Sequence, residues 1–197
     1  YSDAYNNRGL VKDSLGDSKG AIEDYTKAIE IDPNYANAFN NRGLAKDSLG
    51  DYYGAISDCE TAIEIDPNNA EVYICLGEAK SSLGLYEFAI KDYSKAIKLD
   101  SKSSNYYALR GDANVEIKEY FEAISDYRKA IQLDPNYAYA YNNRGLIKDS
   151  LGDSKGAIED FTKAVEIDPE YAYAYNNRGL AKYDLEDYKG AIEDFTK

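Results

Sequence analysis

The sequence predicts an all-α fold in which antiparallel helix pairs follow one another in an array. The main observation is that small residues recur every 34 residues along the 197-residue chain. The recurring positions are Gly9, Gly43, Gly77, Gly111, Gly145 and Gly179, together with Ala21, Ala55, Ala89, Ala123, Ala157 and Ala191. A period of this length predicts one supersecondary unit per repeat, stacked on its neighbours.

Each repeat divides into two helical segments joined by a short turn. The first helix is expected over about the first fourteen residues, and Gly16 or Gly152 ends it by adopting a positive φ. The second helix carries apolar residues at helical spacing, and Asp32-Pro33 ends it in the first repeat. We predict a single array over 1–197, with repeats at 2–35, 36–69, 70–103, 104–137, 138–171 and a truncated 172–197.

The third and fourth repeats diverge from the others. Ser101 replaces the proline that ends the second helix elsewhere, which predicts a softer helix end there. The recurring glycine and alanine are expected where helices cross, because a larger side chain would overpack the contact. Each pair leaves an apolar face for its neighbour to cover, so the array is expected to wind into a superhelix.

One complete repeat, 138–171, carries the motif of a known family. An aromatic, Gly, Ala, aromatic, Ala and Pro stand at fixed offsets, as Tyr141, Gly145, Ala157, Phe161, Ala164 and Pro169. This pattern resembles the tetratricopeptide repeat and covers the whole chain. The resemblance implies a right-handed solenoid of antiparallel helix pairs, an α-α superhelix that acts as a scaffold for partner proteins and not as an enzyme.

Charged residues inside the repeat predict ion pairs between helices. Arg8 and Lys12 lie four residues apart on one face of the first helix. Asp24, on the second helix, is expected to supply the opposite charge. The same positions recur along the chain. We predict that Arg and Asp pair between packed helices while their stems cover apolar surface.

Composition limits the classes of function. The net charge of −13 disfavours nucleic acid and membrane surfaces as partners and favours a basic or neutral protein, although acidity alone also serves solubility. No histidine is present, so the usual general base is missing and no catalytic group is predicted. We expect no cofactor and no metal site.

The two cysteines predict neither a metal site nor a disulfide framework. Cys59 stands at the buried aromatic position of its repeat and is expected to be a small core residue, and Cys75 lies in the next first helix. No apolar run is long enough for a membrane span and no signal peptide is recognised, so a cytoplasmic location is expected. Both ends resemble cuts through a longer array.

Family resemblance places the binding surface on the concave face, which the first helices line. Asn7, Asn41, Asn143 and Asn177 match an asparagine ladder found in some members, such as the repeats of the O-linked N-acetylglucosamine transferase. A carboxamide both donates and accepts, so it can hold a peptide backbone. Cys75 and Leu109 interrupt the ladder, which favours two half-sites. The predicted peptide-binding residues are Asn7, Asn41, Tyr139, Asn142, Asn143, Tyr173, Asn176 and Asn177.

Alternatives to this interpretation stay open. The asparagines could be solvated residues that were copied with the duplicated repeat. The array could also associate with itself, stacking end to end through uncapped apolar faces. Finally, the chain could be the docking region of a larger enzyme. The leading prediction is a non-enzymatic scaffold that binds a protein or peptide ligand in its groove.

Overall fold

A computed structural model describes all residues 1–197, which form twelve α-helices and no β-strand. They fall into two compact units, the N-terminal unit Tyr1–Ser101 and the C-terminal unit Lys102–Lys197. The N-terminal unit contains α1 (Ser2–Ser14), α2 (Ser18–Ile31), α3 (Ala36–Ser48), α4 (Tyr52–Ile65), α5 (Ala70–Ser82) and α6 (Tyr86–Leu99). The C-terminal unit contains α7 (Ser104–Glu116), α8 (Tyr120–Leu133), α9 (Ala138–Ser150), α10 (Ser154–Ile167), α11 (Ala172–Asp184) and α12 (Tyr188–Phe195). The predicted helix pairs are confirmed, and the single array over 1–197 stays a prediction.

The turn inside each repeat has a local chemical cause. In the second repeat, Gly50 has φ +83°, which lets the chain leave α3, and the Asp51 carboxylate then accepts a hydrogen bond from the Gly54 amide at the start of α4. Lys118 takes the glycine's place in the fourth repeat and adopts φ +65°. The turn therefore keeps its geometry where the glycine is absent.

The predicted softer end at Ser101 is not found. Helix α6 ends at Leu99, and Asp100 has φ −133° and ψ 104°, close to the −132° and 95° of Asp32. The extended conformation of this aspartate ends the helix at the same repeat position whether or not proline follows.

Small residues permit the close helix crossings, as predicted. Ala21 and Ala28 on α2 are fully buried together with Tyr25. A methyl group added at Gly9 on α1 would lie 2.8 Å from Cδ1 of the Tyr25 ring, which is shorter than real side-chain contacts. The glycine thus makes room for the ring that fills the interior of the pair.

The predicted ion pairs between helices are confirmed. In the second repeat, the Arg42 guanidinium donates two hydrogen bonds to Asp58, at 2.8 and 2.7 Å, and Lys46 Nζ lies 2.7 Å from the same carboxylate. Equivalent bidentate Arg–Asp pairs are Arg8–Asp24, Arg110–Asp126, Arg144–Asp160 and Arg178–Asp194. The five aspartates are at most 5% exposed, so their charges are neutralised within the protein.

The third repeat differs because Leu76 replaces the arginine. Asp92 there has a single basic partner, Lys80, at 2.7 Å. Burial raises the pKa of Asp92 above its usual range despite that partner. By contrast, the Arg8 guanidinium holds the pKa of Asp24 well below its usual range, against the opposing effect of burial.

The cysteines correct one prediction, because Cys59 and Cys75 form a disulfide between α4 and α5. Their Cα atoms are 6.0 Å apart, and both side chains are at most 1% exposed. Cys59 replaces the ring that fills this position elsewhere, which leaves space beside Gly43 for the Cys75 sulfur. Both cysteines depart from the repeat pattern at positions that pack together, and that departure was the available sequence signal.

Candidate functional site

The predicted site residues of the N-terminal unit lie on α1 and α3, which pack against one another. Asn7 is exposed. Asn41 is half-buried, and its Nδ2 donates to Oδ1 of the buried Asn6 at 2.9 Å. The Asn7 carboxamide is therefore open to solvent, whereas the Asn41 carboxamide already uses a donor within the protein.

In the C-terminal unit, the asparagines of α9 and α11 form a connected network. Asn177 Nδ2 donates to Asn142 Oδ1 at 2.9 Å, Asn142 Nδ2 donates to Asn143 Oδ1 at 3.0 Å, and Asn143 Nδ2 donates to an Asp112 oxygen at 3.4 Å. Asn142 is only 3% exposed. Asn142 is therefore placed to orient Asn143 and Asn177 from below the surface. It could contact a ligand directly only if the side chains that cover it moved.

The remaining predicted residues are accessible. Tyr139 is 39% exposed and stacks on Tyr137 with ring centroids 5.9 Å apart. Tyr173 is largely exposed and meets Tyr171 edge to face at 6.5 Å. Asn176 is exposed on α11. The structure thus brings Tyr139, Asn142, Asn143 and Asn177 into one network, and leaves Tyr173 and Asn176 outside it.

The centre of that network, Asp112 on α7, was missed by sequence reasoning. Its carboxylate accepts hydrogen bonds from the hydroxyls of Tyr127, at 2.5 Å, and Tyr139, at 2.9 Å, as well as from Asn143. Four other repeats have leucine at this position: Leu10, Leu44, Leu146 and Leu180. An acid at a position where four of the six repeats have leucine was the signal that could have found it.

An open cavity of about 400 Å³ lies beside Asp112. Helices α9 and α11 approach one another, whereas α7 and α9 come less close, and the Tyr139 hydroxyl on α9 reaches Asp112 on α7 across this gap. The walls include Asp112 and Glu116 from α7, Tyr120 and Tyr127 from α8, and Tyr139, Asn143 and Leu146 from α9. The cavity is thus an aromatic recess with an acidic wall.

Burial controls the charges around this cavity. It raises the pKa of the Asp112 carboxyl, although the hydrogen bonds from Tyr127, Tyr139 and Asn143 act in the opposite direction. Burial and the neighbouring Asp112 charge raise the pKa of both Tyr127 and Tyr139 far above the usual value. Both hydroxyls therefore stay protonated and act as donors to the carboxylate.

The N-terminal unit has an acid at the same repeat position, but without such donors. Glu78 on α5 accepts no hydrogen bond within its unit, and burial, reinforced by Asp47 and Glu71, raises its pKa to about 7. Asp47 receives one long hydrogen bond, from Ser82 at 3.5 Å, and its Oδ1 is buried without a partner. The same substitution thus has a different environment in each unit.

No group of three or more potential metal-ligating side chains occurs. None of the helices has the length and apolar character needed to cross a membrane. The predicted cytoplasmic location is tested by neither observation and stays a prediction.

Family models for the tetratricopeptide repeat match most of the chain. One matches residues 2–35, 36–69 and 138–171, and others match 59–91 and 172–197. A further model, described as a TPR repeat, matches 111–148. A comparison with curated protein sequences gives no significant match.

Solved structures give the same result. A crystal structure of MamA is 36% identical, covers 78% of this chain and 90% of its own, and has a TM-score of 0.73. YrrB, described as a TPR protein with an unusual peptide-binding site, is 24% identical over 86% of this chain and 88% of its own, with a TM-score of 0.69. PilF of Pseudomonas aeruginosa is 20% identical over 98% of this chain and 88% of its own, with a TM-score of 0.88. The last two similarities concern the fold alone, and together these matches confirm the predicted α-α superhelix class.

Proposed function

Because this chain belongs to the tetratricopeptide repeat family, whose members are protein-interaction scaffolds, we propose that its C-terminal unit binds an extended segment of a partner protein. The binding surface consists of the cavity beside Asp112 and the faces of α9 and α11 that carry the asparagines Asn142, Asn143, Asn176 and Asn177. The observation that carries this proposal is the network of Asn177, Asn142, Asn143 and Asp112, which ends at an open recess.

The network supports peptide binding because it holds polar groups in fixed orientations. Asn142 is buried, accepts a hydrogen bond from Asn177 Nδ2 and donates one to Asn143 Oδ1. Asn177 Oδ1 makes no hydrogen bond within the chain, and the whole Asn176 amide is exposed. Asn177 Oδ1 can therefore accept from a peptide backbone without being reoriented, which lowers the entropy lost on binding, and Asn176 can both donate to and accept from the same backbone.

Aromatic side chains add apolar contact area at both edges of the surface. Tyr139 stands at the cavity, and Tyr173 is largely exposed on the next first helix. Tyrosines are over-represented at protein interfaces because they offer a large, rigid contact area with a polar end. Asn7 and Asn41 would form a separate, smaller half-site in the N-terminal unit.

The partner's charge follows from this chain's acidity. A net charge of −13 attracts basic or neutral segments and repels nucleic acid and anionic lipid surfaces. A peptide or protein ligand is therefore favoured. Self-association is a competing function that the same experiment distinguishes. Attachment to a separate catalytic domain is a second competing function, which the length of the parent gene tests.

The experiment is display of a random peptide library against the full chain and the double variant Asn143→Ala/Asn177→Ala. We expect an enriched motif whose affinity falls about tenfold or more in the variant, since a hydrogen bond lost at a desolvated surface is worth about 1 kcal/mol for each side chain. Light scattering of the same samples records the mass in solution.

The matched control is Asn34→Ala/Asn68→Ala, which removes two exposed loop carboxamides from the N-terminal unit. It should bind the enriched peptide like the unaltered chain. Equal binding by Asn143→Ala/Asn177→Ala would contradict the proposal. No enrichment together with a mass that rises with concentration would instead indicate self-association.

A further inference from the structure

The cavity beside Asp112 has an acidic wall that no basic side chain of the protein neutralises. Asp112 and Glu116 are its charged residues, and neither lysine nor arginine lines it. The basic residues of α7 and α9 are all engaged elsewhere. Arg110 pairs with Asp126, while Arg144 and Lys148 pair with Asp160. The recess therefore carries negative charge and has no internal counter-ion.

Asp112, which is half-buried, differs in this respect from the buried aspartates of its unit. Asp126, Asp160 and Asp194 each pair with an arginine. Asp112 has only neutral donors, which come from Tyr127, Tyr139 and Asn143. These donors fix the position of the carboxylate beside the cavity, and they supply no positive charge. A cation that enters the cavity would supply the missing positive charge. The cavity is partly desolvated, so the attraction between the cation and the carboxylate is stronger there than in water.

The other walls suit a cation carried on an aliphatic stem. Rings of Tyr120, Tyr127 and Tyr139 line the recess, and their faces attract cations. Leu146 adds an apolar contact for methylene groups. The volume of about 400 Å³ lies at the small end of the range of roughly 300–1,000 Å³ for ligand pockets, which is appropriate for one long side chain.

This combination occurs in one repeat only. At the position of Asp112 the first, second, fifth and sixth repeats have leucine, and at the position of Glu116 the first, second, third and fifth have serine: Ser14, Ser48, Ser82 and Ser150. The acidic wall is therefore a local departure from the duplicated pattern and not a property of the repeat.

We propose that the cavity binds the lysine or arginine side chain of the protein ligand. The ammonium or guanidinium group lies against the Asp112 and Glu116 carboxylates, and the stem lies between the tyrosine rings and Leu146. This proposal rests on the proposed function, because the ligand is the peptide segment that the asparagine network holds. It adds a specificity element: a basic residue beside the segment that contacts Asn143 and Asn177.

The test titrates two blocked amino acids, N-acetyl-lysine methylamide and N-acetyl-arginine methylamide, into the full chain with labelled tyrosines. Nuclear magnetic resonance follows the ring signals of Tyr127 and Tyr139. We expect saturable shifts with both compounds and none with N-acetyl-norleucine methylamide, which keeps the stem and lacks the charge. Binding should weaken about tenfold or more in Asp112→Asn, since a charged hydrogen bond is lost.

Two further variants protect the test from a folding artefact. Glu116→Gln changes an exposed side chain at the rim and should weaken binding severalfold with the tyrosine signals otherwise unchanged. Glu78→Gln removes the same charge from the same repeat position as Asp112, but in the N-terminal unit, and should leave the affinity unchanged. Equal shifts with the norleucine compound, or unchanged affinity in both Asp112→Asn and Glu116→Gln, would overturn the proposal.

The two proposals fail in different ways. If peptides enriched by display require Asn143 and Asn177 but tolerate replacement of every basic residue by norleucine, the basic-side-chain proposal is wrong and the proposed function stands. If the blocked lysine binds at Tyr139 but no displayed peptide depends on the asparagines, the proposed function is wrong.

Discussion

Both compact units carry a carboxylate where the other repeats carry leucine, and the two carboxylates have opposite surroundings. In the C-terminal unit, Asp112 accepts hydrogen bonds from Tyr127, Tyr139 and Asn143 beside an open cavity. In the N-terminal unit, Glu78 has no donor and lies near Asp47 and Glu71. Burial raises the pKa of both acids, but only that of Asp112 is opposed by hydrogen bonds.

The difference shows that the neighbouring helices decide what effect a substitution in a repeat has. The same departure from leucine creates a polar site where hydroxyl and amide donors converge, and an unfavourable buried charge where they do not. The ion pairs follow the same rule, because Asp58 has two basic partners and Asp92 has one. Four sets of variants test this comparison.

The largest effect is expected at the paired aspartates of the N-terminal unit. Asp58→Asn leaves Arg42 and Lys46 facing a neutral amide in a buried place, and should lower the free energy of unfolding by roughly 3–5 kcal/mol. Asp92→Asn should change it by less than about 1 kcal/mol, because burial already disfavours the Asp92 charge. Urea denaturation with hydrogen exchange of α3–α6 measures both. Similar losses in the two variants would show that the number of donors does not decide the outcome.

The disulfide is expected to stabilise the N-terminal unit alone. The bond closes a loop with a sequence separation of 16 residues, which predicts about 3 kcal/mol from the reduced entropy of the unfolded chain. Cys59→Ala/Cys75→Ala, or full reduction, should therefore weaken hydrogen-exchange protection in α4 and α5 and leave α9–α11 unchanged.

Mass spectrometry after alkylation of the unfolded protein checks the bond itself. Both cysteines should become reactive only after a reducing agent is added. Two reactive thiols before reduction, or equal protection of α4 with and without reductant, would contradict the prediction.

The third prediction concerns pH. The pKa of Glu78 is about 7 in the folded protein against an ordinary value of 4.5, so between these values the folded state holds more protons than the unfolded state. Stability of the N-terminal unit should therefore fall as the pH rises from about 4.5 to 7, by at most about 3 kcal/mol. Glu78→Gln should reduce that slope, whereas Glu64→Gln, at an exposed position of the same unit, should keep it.

Leucine substitutions compare the two acids directly above pH 7. Glu78→Leu should stabilise its unit, because it removes a buried charge and copies the residue of the other repeats. Asp112→Leu should destabilise its unit by about 1–2 kcal/mol, since Tyr127, Tyr139 and Asn143 lose their acceptor. Changes of the same sign at both positions would remove the distinction between the two units.

Much of the fold could be predicted from the sequence, while the candidate site could be predicted only in part. The ladder residues Asn143 and Asn177 do belong to one hydrogen-bond network, in which Asn142 joins them. The sequence did not indicate that Asn142 is buried or that Asp112 is the centre of the network. Those facts depend on side chains that reach across from other helices.

The sequence by itself determined the helix pairs, their turns and the 34-residue repeat. Those signals are local: an aspartate that caps a helix within three residues, a glycine with positive φ, and small residues at helix crossings. Tertiary structure decided the disulfide and the acidic cavity. The donors to Asp112 lie 15, 27 and 31 residues away, and its charge, burial and accessibility are set only when α7, α8 and α9 have packed together.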